Sequence, residues 1–240
     1  MNSSLVYAII LSGGSGNRFG TELPKQFAEV HGKSILYYCI NNFENHPLVD
    51  KIIVVGNPEH IQQTKQIVLN NNFKKIVSIV EGGITRGESS YIGLKEISNI
   101  EKDTNNIKVL IQDAVRPNTQ THIISEVIEK LDSYNAVTIA VPVTDTIYIA
   151  DSGSSIQSIP DRNKIYKAQT PQGFNYNIIT SAYEQLEKEK KFKQSDDICV
   201  VNLNYPDEEI AILNGDNSNI KITFIDDIEY FRQILKQKKH

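Results

Sequence analysis

The sequence predicts an α/β fold, a mostly parallel twisted sheet flanked by helices. Up to residue 141, short runs rich in β-branched residues alternate with amphipathic segments of helical length, which is the pattern of repeated βαβ units. The predicted strands cover residues 6–11, 51–55, 75–80, 108–111 and 136–141. The predicted helices cover residues 34–44, 58–70, 87–98 and 121–131. Ligands of such sheets bind beyond the carboxyl ends of the strands, so the loops after the strands should carry the functional residues.

The alternation stops after residue 141. Two short alternating runs, 145–150 and 155–159, are joined by Asp-Ser-Gly-Ser, which predicts a β-hairpin arm at about 142–160. A lone hairpin is marginally stable in water, so the arm should pack against a partner subunit or fold back on its own core. A strand near 165–168, a helix at about 175–190, and a last strand and helix from residue 220 onward complete the prediction.

Length and composition indicate one domain over residues 1–240. The formal net charge of -4 argues against a nucleic-acid binder, and the basic residues near the C-terminus indicate a solvated tail. The two cysteines, Cys39 and Cys199, have neither metal-site nor redox-motif spacing, which fits a reducing compartment. No segment has the pattern of a signal peptide or the length of a membrane span. We therefore expect a cytoplasmic protein that binds neither nucleic acid nor membrane.

A glycine-rich segment follows the first predicted strand. Gly13, Gly14, Ser15 and Gly16 allow backbone N–H groups to turn toward an anion, and two cations follow at Arg18 and Lys25. This pattern predicts a triphosphate site, with a plain glycine-rich turn as the alternative. A P-loop would require Gly-Lys-Ser/Thr at its end, and a dinucleotide fingerprint would require glycine where the chain has Phe19.

A second glycine pair follows the third predicted strand. Gly82 and Gly83 would let a flat ligand approach the backbone, and Ser89 lies near a helix N-terminus. The alternative is a turn with a capped helix. Tyr91 and Lys95 have the spacing of the Tyr-x-x-x-Lys pair of short-chain dehydrogenases, but we expect them to be surface helix residues.

Further polar side chains stand near other predicted strands. Asp113 ends the fourth strand, where it could hold Mg²⁺ or pair with Arg116. Arg162 suits a phosphate because its planar fork donates two hydrogen bonds, and Thr170 follows it with a hydroxyl. Lys221 would need an anion if it pointed inward and would be solvated if it pointed outward. No histidine lies in these clusters, so an ionised phosphate could be the nucleophile without a general base.

The order and spacing of these motifs resemble one family over residues 7–234. The family is that of the cytidylyltransferases acting on 2-C-methyl-D-erythritol 4-phosphate or ribitol 5-phosphate. The resemblance implies a Rossmann-like nucleotidyltransferase fold and a homodimer that exchanges the hairpin arm. The motifs that carry it are Ser-Gly-Gly-x-Gly-x-Arg from residue 12, Pro24-Lys25-Gln26, Gly82-Gly83 with Arg86 and Ser89, Asp113-Ala114-Val115-Arg116-Pro117, Thr170-Pro171-Gln172, and Asn219-Ile220-Lys221-Ile222-Thr223.

The same resemblance assigns roles to residues. It implies that Asp113 serves a metal, Mg²⁺, and the substrate, that Lys221 lies near the reacting phosphate, and that Arg162 reaches the polyol phosphate across the dimer. Thr170 and Ser195 match its helpers. Arg18 and Lys25 match the cations on CTP. The nucleotide-binding residues implied are Gly13, Gly14, Ser15, Gly16, Gly83 and Ser89.

The motifs do not agree on the acceptor: some resemble one branch of the family and some the other. Ser12-Gly13-Gly14 and Asp113-Ala114-Val115 look like the ribitol branch, whereas residues 168–174 and 141–146 look like the erythritol branch. We expect transfer of CMP to D-ribitol 5-phosphate, as for cell-wall or capsule precursors; the alternative is 2-C-methyl-D-erythritol 4-phosphate, as in isoprenoid biosynthesis. Other classes left open are an NAD-dependent short-chain reductase built on Tyr91 and Lys95 and a silent nucleotide-binding subunit. A metal-dependent glycosyltransferase fits less well because the chain has no Asp-x-Asp.

Overall fold

A seven-stranded sheet forms the centre of the protein. The computed structural model describes residues 4–14, 24–151, 153–189, 192 and 194–237. The strands of this sheet and of a small separate ribbon are β1 (Leu5–Ser12), β2 (Glu29–Val30), β3 (Lys33–Ser34), β4 (Lys51–Gly56), β5 (Ile76–Glu81), β6 (Ile107–Asp113), β7 (Ala136–Pro142), β10 (Tyr166–Asn175) and β11 (Ile210–Asn214). The order of the strands in the sheet is β11-β7-β10-β6-β1-β4-β5, and β2 and β3 form the ribbon.

Helices cover both faces of this sheet. Successive residues of β1 alternate between two cores, one on each face of the sheet. Ala8 and Ile10 pack with α1 (Ile35–Glu44) and α4 (Thr121–Lys130), whereas Tyr7 and Ile9 pack with α3 (Arg86–Ile100) and α5 (Tyr176–Glu189). Burial on both faces explains the nearly continuous apolar run of this strand. The helices are α1 (Ile35–Glu44), α2 (Ile61–Asn71), α3 (Arg86–Ile100), α4 (Thr121–Lys130), α5 (Tyr176–Glu189), α6 (Asp197–Asn204) and α7 (Asp226–Gln237).

The direction of the strands decides what meets at one edge of the sheet. The pairs β1–β4, β1–β6, β4–β5 and β7–β11 are parallel, and β10 runs antiparallel between β6 and β7. The carboxyl ends of β1, β4, β5 and β6 therefore lie together with the first half of β10. The five strands predicted before residue 142 and the four helices between them are confirmed.

The predicted hairpin is also confirmed, as an arm that pairs only with itself in the described chain. Its strands are β8 (Ile149–Asp151) and β9 (Ser155–Ser158), which are antiparallel and exposed throughout. Tyr148, Ile149, Ile156 and Ile159 are large apolar side chains left in contact with solvent. No helix in the described ranges is long and apolar enough to cross a membrane.

The later part of the chain departs from the prediction at residues 220–223, at β11, at α6 and in β10, which has ten residues where four were predicted. Residues 220–223, all described, form no strand; instead the Ile222 N–H donates to the Val115 carbonyl at 2.8 Å and Ile222 packs on Phe231. The true last strand is β11, which precedes this segment, and α6 was not predicted. The apolar run of β11 has only four residues, and α6 is eight residues long, so neither gives a clear periodic signal.

Candidate active site

A cavity of about 740 Å³ opens at the carboxyl ends of β1, β4, β5 and β6. Its position is the one expected for ligands of parallel sheets. It brings together groups that are far apart in sequence. The predicted site residues that line it are Gly13, Gly14, Lys25, Gly83, Ser89, Asp113 and Lys221. Ser15, Gly16 and Arg18, also predicted as site residues, lie outside the described ranges.

Two side chains to which the sequence assigned no role hold the glycine-rich segment. The buried Gln26 side-chain amide donates to the carbonyls of Ser12 at 3.1 Å and Gly14 at 3.0 Å. The Asn57 amide donates to the Gly13 carbonyl at 3.3 Å. These bonds occupy the carbonyl groups, which leaves the N–H side of the segment for an anion. The Pro24-Lys25-Gln26 motif was the available signal for Gln26.

The second glycine pair is shaped by the start of α3. Thr85 caps the helix and the Glu88 side chain reaches back, so that its Oε2 accepts from the N–H groups of Ile84 at 2.6 Å and Thr85 at 3.1 Å. The Ser89 hydroxyl accepts from the Gly83 N–H at 3.2 Å. A Cβ at Gly83 would lie 2.4 Å from the Glu88 Cβ, so only glycine fits this turn. The capped helix and the cavity wall are therefore one structure.

Asp113 ends β6 and meets two cations. Its Oδ1 accepts from Arg86 Nε at 3.1 Å, and its Oδ2 lies 2.8 Å from Lys221 Nζ. Burial raises the pKa of this carboxyl, but the charges of Arg86, Lys221 and Arg116 outweigh burial and hold the pKa well below its usual range. Lys221 thus points inward, the orientation that required an anion.

The predicted alternative partner of Asp113 was wrong. Among the described residues Arg116 forms no ion pair with Asp113; its guanidinium donates to the carbonyls of Asn219 at 2.7 Å and Ala168 at 3.2 Å. The real partner, Arg86, is also bound to Asp197, whose Oδ2 lies 2.7 Å from Arg86 Nη1. No local spacing could show these pairs, because the partners lie on separate elements.

Two residues predicted to bind the acceptor, Thr170 and Ser195, lie in β10 and just before α6. The Thr170 hydroxyl accepts from the Asp113 N–H at 3.1 Å, which places Thr170 beside Asp113; its role toward the polyol phosphate stays a prediction. Ser195 precedes α6, with its Oγ 3.5 Å from Cys199 Sγ, and lies outside the lining that the described residues form. Gln172 was part of a motif but had no role assigned to it; its side-chain oxygen accepts from the N–H of Asp197, and its amide donates to the Asp196 side chain.

Arg162 is not brought to this cavity. It lies in a short 3-10 helix, Arg162–Lys164, exposed beside the arm, and its Nη1 donates to the Thr144 carbonyl at 3.3 Å. Arg162 therefore does not line the cavity that the described residues of its own chain form.

Tyr91 and Lys95 are engaged elsewhere. The Tyr91 hydroxyl donates to Glu187 Oε2 at 2.8 Å, and Lys95 Nζ lies 3.3 Å from Glu187 Oε1. Tyr91 is buried and stacks on Tyr183, with 5.8 Å between ring centroids, so its prediction as a surface residue was wrong. The structural role expected for the pair fits these contacts, and neither residue lines the glycine-rich cavity of the described chain.

The donor set of the cavity suits a metal that arrives with phosphates. Among the described residues, no three His, Cys, Asp or Glu side chains cluster as a metal site. Mg²⁺ is commonly held by one or two carboxylates together with substrate phosphates and waters. Asp113 supplies one such carboxylate in a cavity that also holds Lys25, so the residues present fit this mode.

This chain is similar to known proteins over nearly its whole length. The profile of one family, IspD, described as 2-C-methyl-D-erythritol 4-phosphate cytidylyltransferase, matches residues 6–237. A protein of that name from Lachnospira eligens is 36% identical over 229 residues, covering 95% of this chain and 98% of the relative. The crystal structure of 4-diphosphocytidyl-2C-methyl-D-erythritol synthase from Anaerococcus prevotii has a TM-score of 0.81 and 29% identity, covering 97% and 96% of the two chains.

A relative of a second kind is similarly close. The bifunctional ribulose 5-phosphate reductase/CDP-ribitol pyrophosphorylase of Haemophilus influenzae is 35% identical over 241 residues. The match covers 100% of this chain but only 50% of that relative, so this chain spans half of it. Both kinds of relative are cytidylyl-transferring proteins. With a family profile that covers nearly the whole chain and a Rossmann-like nucleotidyltransferase fold, this chain belongs to the IspD family and is a CTP-dependent cytidylyltransferase.

Proposed function

We propose that the protein transfers CMP from CTP to 2-C-methyl-D-erythritol 4-phosphate and releases pyrophosphate. The observation that carries the reaction type is the cavity in which the glycine-rich segment and Lys25 accompany Asp113 and Lys221. The acceptor follows the names of the family and of the Lachnospira and Anaerococcus proteins. These names favour 2-C-methyl-D-erythritol 4-phosphate as the acceptor over D-ribitol 5-phosphate, which we expected from the sequence.

D-Ribitol 5-phosphate is the second candidate acceptor. The Haemophilus relative, whose name includes CDP-ribitol pyrophosphorylase, matches the full length of this chain. Ser12-Gly13-Gly14 and Asp113-Ala114-Val115 point the same way, and both segments contribute to the cavity. Acceptor choice is therefore the first property to measure.

The reaction is an in-line displacement at phosphorus. A phosphate oxygen of the acceptor gives an electron pair to the α-phosphorus of CTP, and a new P–O bond forms. The bond from that phosphorus to the oxygen bridging to the β-phosphate breaks, and pyrophosphate leaves with the electron pair. The second pKa of a phosphate is about 6, so the nucleophile is ionised at neutral pH and needs no general base.

The cations of the site would stabilise the charge that gathers during this step. Arg18 and Lys25 are assigned to the β- and γ-phosphates, and Lys221 to the phosphate that is attacked. Asp113 would hold Mg²⁺, which when bound supplies positive charge beside the phosphate oxygens. The backbone around the two glycine motifs and Ser89 would hold the nucleotide. The glycine-motif residues assigned to CTP are Gly13, Gly14, Ser15, Gly16 and Gly83.

The acceptor would lie between this cavity and the arm of a second copy. Thr170 already contacts Asp113, and Ser195 precedes the neighbouring helix α6. Arg162 is exposed beside the arm, whose large apolar side chains face solvent in a single chain. A homodimer that exchanges arms would cover those side chains and bring the Arg162 guanidinium to the polyol phosphate of the other copy.

The cytoplasmic location stays a prediction based on the two free cysteines. The reductase alternative loses support because Tyr91 and Lys95 both bind Glu187. Binding of NADH in preference to CTP would revive it. A silent subunit would bind CTP without releasing pyrophosphate.

The test is pyrophosphate release from the purified protein with Mg²⁺ and CTP, with the two acceptors in separate reactions. We expect faster turnover with 2-C-methyl-D-erythritol 4-phosphate; faster turnover with D-ribitol 5-phosphate would reverse the assignment of the acceptor. Reactions without acceptor and with ATP, GTP or UTP in place of CTP are the controls. Release with neither acceptor would contradict both candidate acceptors.

A further inference from the structure

Arg86 joins two carboxylates that come from different elements. It is the first residue of α3, and its Nε donates to Asp113 Oδ1 at 3.1 Å while its Nη1 donates to Asp197 Oδ2 at 2.7 Å. Asp197 is fully buried and also accepts from the Tyr183 hydroxyl at 2.6 Å. The guanidinium is thus fixed from both sides, in a fork geometry that a lysine cannot reproduce.

Lys221 holds the same Asp113 carboxylate less firmly. Its Nζ lies 2.8 Å from Oδ2, but its side chain is 46% exposed, compared with 24% for Arg86. Among the described residues Asp113 is its one ion-pair partner, whereas Arg86 has two. A flexible, half-exposed ammonium group can turn to another anion in the cavity at a lower cost than an anchored guanidinium.

We propose that Arg86 is a positioning residue that serves as the permanent counter-ion of Asp113, so that Lys221 can turn its charge to the α-phosphate of CTP, the phosphate that is attacked. The inference rests on the proposed function, which assigns Lys221 to that phosphate. If Lys221 were the one side-chain cation paired with Asp113, its departure would leave the buried carboxylate without an ion pair to the protein, which is costly. Asp197 keeps Arg86 from following the phosphate.

The charge balance of the cluster agrees with this division of roles. Asp113 and Asp197 carry two negative charges, and Arg86 and Lys221 carry two positive charges. When Lys221 turns to the phosphate, Arg86 still bridges both carboxylates. Asp113 keeps its orientation because its N–H remains bound to Thr170 and its Oδ1 to Arg86.

Three variants separate positioning from folding. Arg86→Lys keeps the charge but cannot bridge both carboxylates. The double variant Arg86→Gln/Asp197→Asn removes one charge of each sign, so that no buried Asp197 charge is left unpaired. Tyr183→Phe is the control, because it removes a hydrogen bond to Asp197 without touching the Arg86 bridge. Thermal unfolding of all three measures the structural cost.

We expect kcat to fall about tenfold in Arg86→Lys and about 10²-fold in the double variant, since a displaced catalytic group typically costs that much. The KM for CTP should stay within a few-fold, and Tyr183→Phe should keep the kcat of the wild type despite its lower stability. Binding of inorganic phosphate without CTP or metal is the second readout. The double variant should bind it as weakly as Lys221→Met, because Lys221 stays on Asp113.

Wild-type kcat and phosphate affinity in the double variant would overturn the inference. A loss of kcat in Tyr183→Phe equal to that of the double variant would also overturn it, because the effect would then be one of stability. The proposed function fails separately, when the wild type releases no pyrophosphate with either acceptor. Phosphate binding still tests Arg86 in that case.

Discussion

Lys221 Nζ lies 2.8 Å from Oδ2 of Asp113, a residue 108 positions earlier in the chain. The contact joins the end of β6 to the segment before α7, which is held in place by the bond from the Ile222 N–H to the Val115 carbonyl. The buried Ile222 side chain secures this segment in a small core with Phe231. An otherwise irregular stretch of chain thereby presents its lysine to the cavity.

Replacement of Lys25 by alanine should abolish most activity and leave the fold intact. Lys25 lines the cavity beside the glycine-rich segment, and loss of one charge-stabilising group typically lowers the rate by ~10²–10³. Pyrophosphate release measures the effect, and thermal unfolding checks the fold. Lys102→Ala, at an exposed lysine away from the cavity, is the matched control. Activity of Lys25→Ala within a few-fold of the wild type would contradict the assignment.

Gly83→Ala should lower both stability and CTP affinity. A Cβ there would lie 2.4 Å from the Glu88 Cβ and 2.7 Å from its Oε2, which must shift away from the N–H groups that it caps. We expect a loss of about 1 kcal/mol in the free energy of unfolding, the usual value of a helix cap. The KM for CTP should rise about tenfold, the equivalent of about 1.4 kcal/mol.

Gly14→Ala provides the comparison for stability, because a Cβ at Gly14 would meet no atom of the described residues within 4 Å. Denaturant unfolding of both variants separates crowding from a general cost of replacing glycine. Equal stability of the two alanine variants would show that the Gly83 turn tolerates a side chain.

Chelation of divalent metal should stop the reaction without unfolding the protein. Asp113 would hold the proposed Mg²⁺ together with the nucleotide, and the described residues offer no cluster of three metal-ligating side chains. We expect EDTA to reduce pyrophosphate release by at least about 10²-fold, consistent with several kcal/mol of metal stabilisation. The thermal midpoint should not move, and added Mg²⁺ should restore activity. A large drop in the midpoint would indicate a structural metal instead.

His46 should make the protein less stable in mild acid. It is buried; its Nδ1 accepts from the Leu48 N–H at 3.2 Å, and its Nε2 lies 3.2 Å from the Thr121 carbonyl. Burial, with a smaller contribution from Lys75, lowers the pKa of His46 below its usual range. The unfolded chain therefore binds more protons, so stability falls as the pH drops below about 6.5 toward the lower pKa of the folded state.

Urea unfolding at pH 7.5 and pH 5.5 measures this effect in the wild type and in His46→Gln. The variant cannot titrate at this position, so its stability should change less between the two pH values. His122→Gln, at an exposed histidine, is the control and should keep the pH dependence of the wild type. If the free energy of unfolding changed equally between the two pH values in the wild type and in His46→Gln, His46 would be excluded as the source of the pH dependence.

The arm should be the dimer contact. Ile149 and Ile156 are 49% and 56% exposed in the single chain, and aspartate at both positions would place charge in the proposed interface. Sedimentation should show a dimer for the wild type and a monomer for Ile149→Asp/Ile156→Asp. Pyrophosphate release should fall as well, because Arg162 would no longer reach the other copy. Leu69→Asp, at a 77% exposed position on α2, should remain dimeric and active. A monomeric wild type would rule out this role.

Sequence periodicity was sufficient for the strands and helices of the βαβ units before residue 142, but it did not predict the β2–β3 ribbon. Because β1 is buried on both faces, its sequence is almost entirely apolar, as in Ala8-Ile9-Ile10. The helices between the early strands are amphipathic, which makes them recognisable too. In β10 the run continues through Thr170, Pro171 and Gly173, so a strand of ten residues was predicted as four. Tertiary contacts outweigh local propensity at such positions.

Some features of the candidate site could likewise be predicted from the sequence, and others could not. Asp113 could be predicted because it ends a recognisable strand, and Gly83 because of its neighbouring glycine. The link between Arg86 and Asp197 could not, because those residues lie 111 positions apart and only packing brings their elements together. Whether Lys221 points inward also depended on a backbone bond between distant segments.

The insertion of β10 between β6 and β7 in the opposite direction has a consequence for how such proteins can diversify. Every predicted nucleotide contact except Lys221 precedes β7, whereas the arm, Arg162 and Thr170 follow it in one continuous stretch that enters the cleft through β10. A single genetic crossover after β7 would therefore exchange the arm, Arg162 and Thr170 together with Lys221, and retain the other predicted CTP contacts. Two acceptor specificities within one family are what this division of the chain would allow.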